Sequence, residues 1–220
     1  TPTYCYSYAK LKENILRFKK SFKSISPLIC FAIKSNNNVS LVREIKKFGL
    51  GADVVSMGEL MTAIKAGISP KKIVFSGVGK TSEEIKYAIS KKILLINAES
   101  ESEIKQIEKI AKLKKRKVQV GIRLNPNTDA KTLSQISTGK KEDKFGVNDK
   151  TFFQLVNYCK NSKIIDLKCL SVHIGSQIQD HKPYEKMLKS ITKILNKVNY
   201  KFEFIDLGGG MGITYKSGEK

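Results

Sequence analysis

Short apolar runs and longer amphipathic stretches alternate along the chain. Seven runs are continuously hydrophobic, as is typical of parallel strands covered on both faces, and they span residues 28–33, 50–55, 72–75, 93–96, 118–124, 167–173 and 202–207. Seven other stretches carry apolar residues at helical spacing: 8–24, 38–48, 56–66, 81–91, 101–115, 149–160 and 183–198. Several of these begin with a capping residue, as in Thr81-Ser-Glu-Glu84, so the pattern predicts a regular succession of strands and helices.

This order of elements predicts the fold class α/β. Repeated strand-then-helix units with short connections imply right-handed crossovers and a parallel sheet. An eight-stranded α/β barrel takes about 250 residues, whereas this chain of 220 residues supplies seven candidate strands. We therefore expect one domain over residues 1–220, a (β/α)8 TIM-type barrel truncated before its eighth strand. An open doubly wound sheet is the alternative.

The segment 125–147 interrupts this rhythm and predicts a long loop after the fifth strand. It contains Asn-Pro-Asn-Thr-Asp, Ile-Ser-Thr-Gly and Lys-Phe-Gly. Loops of this length within a compact domain are usually functional, and in barrels the loops that follow the strands build the active site.

The formal net charge of +21 raises nucleic acid as a partner, but the cations are not clustered. Lysines recur through nearly every helical stretch, arginine occurs only at positions 17, 43, 116 and 123, and tryptophan is absent. Neither bidentate base readout nor a dense stacking platform is indicated. We therefore expect solvated helix faces and no nucleic-acid partner. The one dense run, 112–117, is predicted to be a helix C-terminus, where cations complement the dipole.

Other classes of protein are also disfavoured. No apolar run approaches the roughly 20 residues that span a bilayer, and the start Thr-Pro-Thr-Tyr-Cys is unlike a signal peptide, so we expect a cytoplasmic protein with no membrane partner. The four cysteines form no Cys-x-x-Cys motif and are expected to be reduced thiols, mostly in the core. With only His173 and His181 as histidines, no metal site is expected.

Lys34 ends the first apolar run, in the sequence Phe-Ala-Ile-Lys-Ser-Asn. An amine held at a barrel mouth with low-dielectric walls behind it is disfavoured as ammonium, and it becomes a nucleophile able to form a Schiff base with an aldehyde cofactor. A lysine at a strand end is also commonly a snorkelling surface residue. The assignment therefore depends on what stands near it.

Three consecutive glycines, Gly208, Gly209 and Gly210, follow the last apolar run in the sequence Asp-Leu-Gly-Gly-Gly-Met-Gly-Ile. Glycine lets backbone N–H groups approach an anion without interference from side chains. Barrels bind phosphate in the loops after strands seven and eight, so the position agrees with the composition. A flexible turn is the structural alternative.

Three further polar residues stand at predicted strand ends. They are His173 in Ser-Val-His-Ile-Gly-Ser-Gln, Asp53 in Gly-Ala-Asp-Val-Val-Ser, and Arg123 in Arg-Leu-Asn-Pro. Ser176, in the first of these motifs, adds a hydroxyl donor for phosphate. Because the carboxyl ends of parallel strands meet at one rim, we expect five strands to direct polar groups at the same place.

Taken together, these motifs resemble the diaminopimelate decarboxylase family, essentially end to end. The matching segments are Phe-Ala-Ile-Lys-Ser-Asn, Gly-Ala-Asp-Val-Val-Ser-x-Gly-Glu, Arg-Leu-Asn-Pro, Ile-Ser-Thr-Gly with Lys-Phe-Gly, His-Ile-Gly-Ser-Gln and Asp-Leu-Gly-Gly-Gly-x-Gly-Ile. The resemblance implies an alanine-racemase-like barrel followed by a C-terminal β-domain, acting as a head-to-tail homodimer. It also implies a carboxy-lyase that uses pyridoxal 5'-phosphate to convert an amino-acid substrate, meso-diaminopimelate, to L-lysine in the last step of lysine biosynthesis.

The resemblance implies cofactor-binding roles for particular residues. Lys34 would hold pyridoxal phosphate as a Schiff base, and His173 would stack on its ring. Ser176 and the glycines Gly208 to Gly210 would bind the phosphate, Gly210 above all.

The resemblance also implies three supporting residues: Asp53, which would steer proton transfers beside the lysine, Glu59 and Arg123. One departure is Ser171, because many relatives have a second histidine at that place. The family's Glu-Pro-Gly-Arg segment and its β-domain lie outside these 220 residues. We therefore expect the fragment alone to be inactive.

Two alternatives remain at this point. One is a related decarboxylase for ornithine, arginine or carboxynorspermidine, against which the Ile-Ser-Thr-Gly, Lys-Phe-Gly and His-Ile-Gly-Ser-Gln motifs favour diaminopimelate. The other is a non-catalytic single-domain barrel that binds pyridoxal phosphate for cofactor homeostasis, against which stands the triple-glycine loop.

Overall fold

The computed structural model describes residues 1–128 and 145–213 of the chain. Within those ranges, helices and strands alternate as the sequence predicts. The strands are β1 (Cys30–Ala32), β2 (Gly51–Val54), β3 (Ile73–Phe75), β4 (Leu95–Ala98), β5 (Val118–Arg123), β6 (Ile165–Ser171) and β7 (Phe204–Asp206). The helices are α1 (Tyr8–Ser21), α2 (Val39–Lys47), α3 (Met57–Lys65), α4 (Ser82–Lys91), α5 (Glu101–Leu113), α6 (Asp149–Asn161) and α7 (Lys182–Lys197).

All seven strands belong to one parallel sheet in the order β1-β2-β3-β4-β5-β6-β7. A doubly wound sheet reverses its strand order partway, so this order excludes that alternative. The order is instead that of a barrel in which each strand lies beside its predecessor. The sheet is curled into a half-barrel, because Asn97 on β4 bonds directly to Asp206 on β7 although two strands lie between them.

The two faces of the sheet differ in chemistry. Side chains such as Val54, Phe75 and Ile122 are fully buried between the sheet and its helices, and they belong to one continuous apolar core. The opposite face carries polar groups at its carboxyl end, among them Asp53 and Asn97. Burial of the outer face stabilises the fold, while the inner face is left to hold the site.

The helices begin where the sequence places capping residues. The Thr81 side chain accepts a hydrogen bond from the backbone of Glu84, whose carboxylate accepts one from Thr81 in return, so the predicted capping box is confirmed. Ser56 and Ser100 cap α3 and α5 with their hydroxyl groups, which accept hydrogen bonds from the backbone N–H groups of Glu59 and Glu103. The basic run also coincides with a helix end, since Lys112 lies in the last turn of α5.

The predicted strands that lead to Lys34 and to His173 extend too far at their carboxyl ends. β1 ends at Ala32, because Ile33–Ser35 form a single turn of 3-10 helix closed by the bond from the backbone N–H of Asn36 to the carbonyl of Ile33. Lys34 therefore stands in a tight turn rather than on the strand. Similarly, β6 ends at Ser171, two residues before His173.

Every cysteine is a free thiol in the structure; Cys159 and Cys169 are buried, Cys30 is partly buried and Cys5 is exposed. The core location predicted for the cysteines therefore does not hold for Cys5. Among the described residues, no helix is long and apolar enough to cross a bilayer.

Candidate active site

The predicted rim residues lie at the carboxyl ends of the strands. Asp53 is the third residue of β2, Arg123 is the last residue of β5, and His173 follows β6 by two positions. Lys34 follows β1 by two positions. The structure therefore brings four elements that are distant in sequence to one end of the half-barrel.

Lys34 is exposed, so the apolar surroundings expected for its amine are absent from the described structure. Its positive charge nevertheless acts on two groups of the rim. It opposes the rise in the pKa of the Asp53 carboxyl that burial causes, and it adds to the fall in the pKa of the His173 imidazole, which is due mainly to burial. The charge of the lysine is therefore felt at both other groups of the rim.

Asp53 has an unusually high pKa for a carboxyl group. Burial, with a smaller contribution from the charge of Asp206, raises its pKa to about 6, although the hydrogen bond from Ser76 and the charge of Lys34 oppose the shift. Ser76 Oγ donates to Asp53 Oδ1 at 2.6 Å. Asp53 can therefore gain or lose a proton close to neutral pH, a property suited to proton transfer.

A chain of side-chain hydrogen bonds crosses the inner face from Asp53 to Asp206. Asn97 Nδ2 lies 3.0 Å from Asp206 Oδ2, 3.4 Å from Ser171 Oγ and 3.5 Å from Ser76 Oγ. Ser171 Oγ also donates to Asp206 Oδ2, at 2.9 Å. Ser171, where the sequence departs from what the resemblance implies, therefore has defined hydrogen-bond partners.

His173 is held by the glycine loop that follows β7. The backbone N–H of Gly209 donates to its Nδ1 at 3.3 Å, so this nitrogen accepts a hydrogen bond and carries no proton. Burial, together with the charges of Arg123 and Lys34, lowers the pKa of His173 to about 4. The imidazole is therefore neutral at physiological pH.

Two of the three glycines are required by close packing. Gly208 and Gly210 have positive φ values of 68° and 92°. A Cβ atom at Gly208 would lie 2.6 Å from the Val172 carbonyl, and one at Gly210 would collide with the Gly175 carbonyl. Gly209 faces open space, with nothing within 4 Å of such an atom.

Ser176 and Glu59 occupy different surroundings. Ser176 lies between Gly175 and Ile178, within the segment that packs on the glycine loop through the bond from the Ile178 N–H to the Gly210 carbonyl. Glu59 lies in the first turn of α3, and its carboxylate accepts the backbone N–H of Val55 at 2.9 Å. Its observed contact is thus that of a helix cap, although its charge also raises the pKa of Asp53.

Arg123 is buried, with 8% of its surface exposed, and it is paired with a residue that the sequence did not single out. Its Nη1 lies 3.0 Å from both carboxylate oxygens of Glu99. Its guanidinium stacks on the Phe145 ring at 4.9 Å. Nη2 has no hydrogen-bond partner among the described residues, so a buried donor remains available at the rim.

Asn97 and Glu99 are two residues of the site that no sequence motif marks. The apolar run 93–96 predicts a strand that ends before both of them, whereas β4 continues to Ala98. One signal was present: Gly121 in the middle of a predicted strand is a place where another group approaches closely. That group is the Asn97 side chain, which a Cβ atom at Gly121 would overlap.

The donor set fits an anionic aldehyde cofactor better than a metal. The rim offers an exposed primary amine, a neutral imidazole, glycine N–H groups and the unpaired Nη2 of Arg123. No group of three or more metal-ligating side chains occurs in the part of the chain that the structure describes. The Ile-Ser-Thr-Gly motif and Lys144 lie outside the described residues.

The sequence was compared with known families. Residues 8–220 match the family described as "Pyridoxal-dependent decarboxylase, pyridoxal binding domain". The match covers nearly the whole chain, including every predicted site residue.

Curated relatives are named diaminopimelate decarboxylase. The relative from Helicobacter pylori strain J99 is 43% identical over 222 residues, and that from Campylobacter jejuni is 40% identical over 222 residues. Each alignment covers all of this chain but only 55% of the relative. The chain therefore spans about half the length of the curated relatives it matches.

Solved structures of diaminopimelate decarboxylases are also similar to this chain. The crystal structure of diaminopimelate decarboxylase from Helicobacter pylori complexed with L-lysine has a TM-score of 0.96 and 42% identity, covering all of this chain and 56% of that one. An arginine decarboxylase from Paramecium bursaria Chlorella virus, at 24% identity and a TM-score of 0.75, shares the fold.

Proposed function

The chain belongs to the pyridoxal-dependent decarboxylases as their pyridoxal-binding domain, and on this premise we propose that the full-length protein decarboxylates meso-diaminopimelate to L-lysine. The named activity of relatives at about 40% identity supports this substrate. The chain covers 55% of the length of those relatives.

One observation carries the proposal. Lys34, Asp53 and His173 come from three different segments, yet all three stand at the carboxyl ends of parallel strands and therefore at the same end of the half-barrel. A primary amine beside a carboxyl of pKa about 6 and a neutral imidazole is the set of groups that covalent amine chemistry requires.

Pyridoxal phosphate would be held by residues of this rim. Lys34 would be the covalent attachment point, and His173, whose orientation is fixed by the Gly209 N–H, would stack on the ring. Ser176 and the glycine loop, Gly208 to Gly210, would bind the phosphate. The N–H of Gly208 already donates to Asp206 Oδ1, whereas that of Gly210 donates to no described residue, which favours Gly210 as the main phosphate donor.

The bound cofactor supplies a conjugated ring that accepts the electron pair released with carbon dioxide. The chain's own residues control protons and charge. Asp53 Oδ1 accepts from Ser76, which leaves Oδ2 to exchange a proton with Nζ of Lys34. Arg123 contributes a fixed positive charge and a free donor beside His173.

We also propose that the full-length protein is a cytoplasmic head-to-tail homodimer whose neighbouring subunit completes each site. The resemblance to diaminopimelate decarboxylases supports this proposal, and the chain spans about half the length of those relatives. It follows that the 220-residue fragment, assayed alone, should produce no measurable lysine.

Covalent attachment is tested by borohydride reduction of the full-length protein with pyridoxal phosphate, followed by peptide mass spectrometry. Reduction should mark Lys34. A matched control is Lys71→Ala, because Lys71 is exposed at the opposite end of the barrel, before β3. Labelling at another lysine, or none, would refute the cofactor assignment.

Substrate choice is tested by measuring carbon dioxide release from a panel of amino acids. The full-length protein should act on meso-diaminopimelate with a kcat/KM at least about 100-fold above that for ornithine, arginine or carboxynorspermidine. Preference for one of the latter would contradict the proposed substrate. Binding of the cofactor without turnover of any substrate would support a homeostasis role instead.

A further inference from the structure

Glu99 is the centre of a buried network that the proposed chemistry does not use. Only 5% of its surface is exposed. Both oxygens of its carboxylate accept hydrogen bonds from Arg123 Nη1. In addition, Oε1 accepts one from the Gly77 N–H at 3.0 Å, and Oε2 accepts one from the Gly146 N–H at 3.3 Å. Donors from three separate segments therefore converge on one carboxylate.

A second buried ion pair fixes the backbone that carries Glu99. Lys80 Nζ donates to Glu103 Oε1 at 2.7 Å, to the Asn97 carbonyl at 2.7 Å and to the Gly77 carbonyl at 2.6 Å. Glu103 Oε2 in turn accepts the N–H of Glu99 at 2.8 Å. The ion pairs Glu99–Arg123 and Lys80–Glu103 each contain one positive and one negative charge. Gly77 links them, because its N–H donates to Glu99 and its carbonyl accepts from Lys80. Glu99 therefore cannot move without breaking several hydrogen bonds.

The network leaves Arg123 little orientational freedom. Glu99 occupies Nη1 on one side, and the Phe145 ring covers a face of the guanidinium. Nη2 is buried without a partner among the described residues, although burying an unsatisfied charged donor is costly. A ligand atom that accepts this hydrogen bond would remove the cost.

We propose that Glu99 is a positioning residue that directs Nη2 of Arg123 toward an anionic oxygen of the ligand bound at the rim. Through Gly146 it also ties this orientation to the base of the 125–147 loop. The inference deepens the proposed function and rests on it. The anionic oxygen belongs either to the cofactor or to a carboxylate of the substrate.

The test compares Glu99→Gln with Glu108→Gln in the full-length enzyme. Glu108 is the matched control because it is similarly buried, but it lies on α5 itself, where its carboxylate accepts hydrogen bonds from Tyr158 and Ser162 instead of contacting Arg123. In Glu99→Gln, the side-chain N–H₂ group would face the N–H donors that now bind the carboxylate, so at least one of these hydrogen bonds would be lost. Glu99→Asp, which keeps the charge but shortens the side chain, serves as the conservative variant.

Two readouts separate the sources of the anionic oxygen. One is the Kd of pyridoxal phosphate for the apoenzyme, from the absorbance of the lysine-bound cofactor. The other is KM for the amino-acid substrate at saturating cofactor. We expect Glu99→Gln to raise one of them at least tenfold, Glu99→Asp to raise it less, and Glu108→Gln to leave both within twofold.

A double-variant cycle shows whether Glu99 acts through Arg123. In an Arg123→Gln background, Glu99→Gln should have no further effect, and this pair leaves no lone buried charge that could unfold the protein. Equal effects of the variants at 99 and 108, or an undiminished effect without Arg123, would overturn the inference. Failure of the wild-type enzyme to bind cofactor would instead count against the proposed function.

Discussion

The side-chain amide of Asn97 on β4 donates to the carboxylate of Asp206 on β7 across 3.0 Å. Neighbouring strands lie about 4.8 Å apart, so three steps along a flat sheet would separate these strands by about 14 Å. The bond therefore exists only because the sheet curls. It joins the two halves of the inner face beneath the Lys34 rim.

Replacing this amide by a carboxylate should destabilise the curled sheet. In Asn97→Asp, a new buried carboxylate would face that of the partly buried Asp206, and we expect a loss of about 2 kcal/mol at pH 7.5. Repulsion between the two carboxylates would favour binding of a proton in the folded state, relative to the unfolded value of about 4. The loss of stability is therefore largest at neutral pH, and it becomes smaller as the pH falls to about 5.

Urea unfolding of the full-length protein at both pH values measures the effect. Asn199→Asp is the control, since Asn199 is exposed in the connection before β7 and should change stability by less than about 0.5 kcal/mol. An equal loss at pH 7.5 and pH 5 would argue against carboxylate repulsion as its cause.

The order of elements could be predicted from the sequence because it depends on local signals. Continuous apolar runs, helical periodicity and caps such as Thr81 fix where strands and helices occur. The turn at Lys34 was missed because Ile33 continues the apolar run although its backbone has left the strand. The residues at which helices and strands begin and end depend on hydrogen bonds, which the hydrophobic pattern does not show.

The candidate site was predictable only where a motif marked it. Asp53, His173 and the glycine loop stand in recognisable motifs, whereas Asn97 and Glu99 acquire partners from strands far away in sequence. The run Glu-Ser-Glu-Ser-Glu at 99–103 resembles a solvated surface. In the structure its first and last residues are buried and Glu101 between them is exposed. Such a difference follows from tertiary contacts alone.

Asp53→Asn should stabilise the protein while impairing its proposed chemistry. Burial raises the pKa of Asp53 from 3.8 to about 6, so the folded state binds a proton that the unfolded state has lost between these values. The charged carboxylate thus costs stability above pH 6, and this cost disappears as the pH falls below about 4. We expect the asparagine variant to gain about 1 to 2 kcal/mol at pH 7.5.

Unfolding curves at pH 7.5 and pH 4 should show this gain at the higher pH only. Asp149→Asn provides a control of opposite sign, because Asp149 is exposed in the first turn of α6, where a negative charge favours the helix. A gain that is the same at both pH values would mean that the charge of Asp53 is not responsible.

His173 should give the opposite dependence on pH. Burial lowers its pKa from 6.5 to about 4, so between these values the unfolded chain binds a proton that the folded chain does not. Protonation of His173 in the unfolded chain therefore lowers the free energy of unfolding as the pH falls from 6.5 toward 4. Relative to His173→Gln, the wild type should lose about 1 to 2 kcal/mol between pH 7 and pH 5.

Unfolding of His173→Gln and of the wild type is measured at pH 7 and pH 5. His181→Gln, measured at the same two pH values, is the control, since His181 is exposed at the start of α7. This variant should follow the wild type within about 0.5 kcal/mol at both pH values. Parallel behaviour of the variants at 173 and 181 would contradict a buried neutral imidazole at the rim.

Gly210→Ala and Gly209→Ala separate packing from flexibility in the glycine loop. At Gly210 the added methyl group meets the Gly175 carbonyl and the backbone has φ of 92°, so the loop must detach from the His173 segment. We expect a loss of about 2 to 4 kcal/mol and at least tenfold weaker binding of pyridoxal phosphate. At Gly209 the methyl group enters open space, and stability should change by less than about 1 kcal/mol. Thermal unfolding and cofactor titration of the full-length variants measure both effects. If the loop were merely a flexible turn, the two substitutions would behave alike, because chain flexibility does not distinguish neighbouring glycines whereas a fixed contact with Gly175 does.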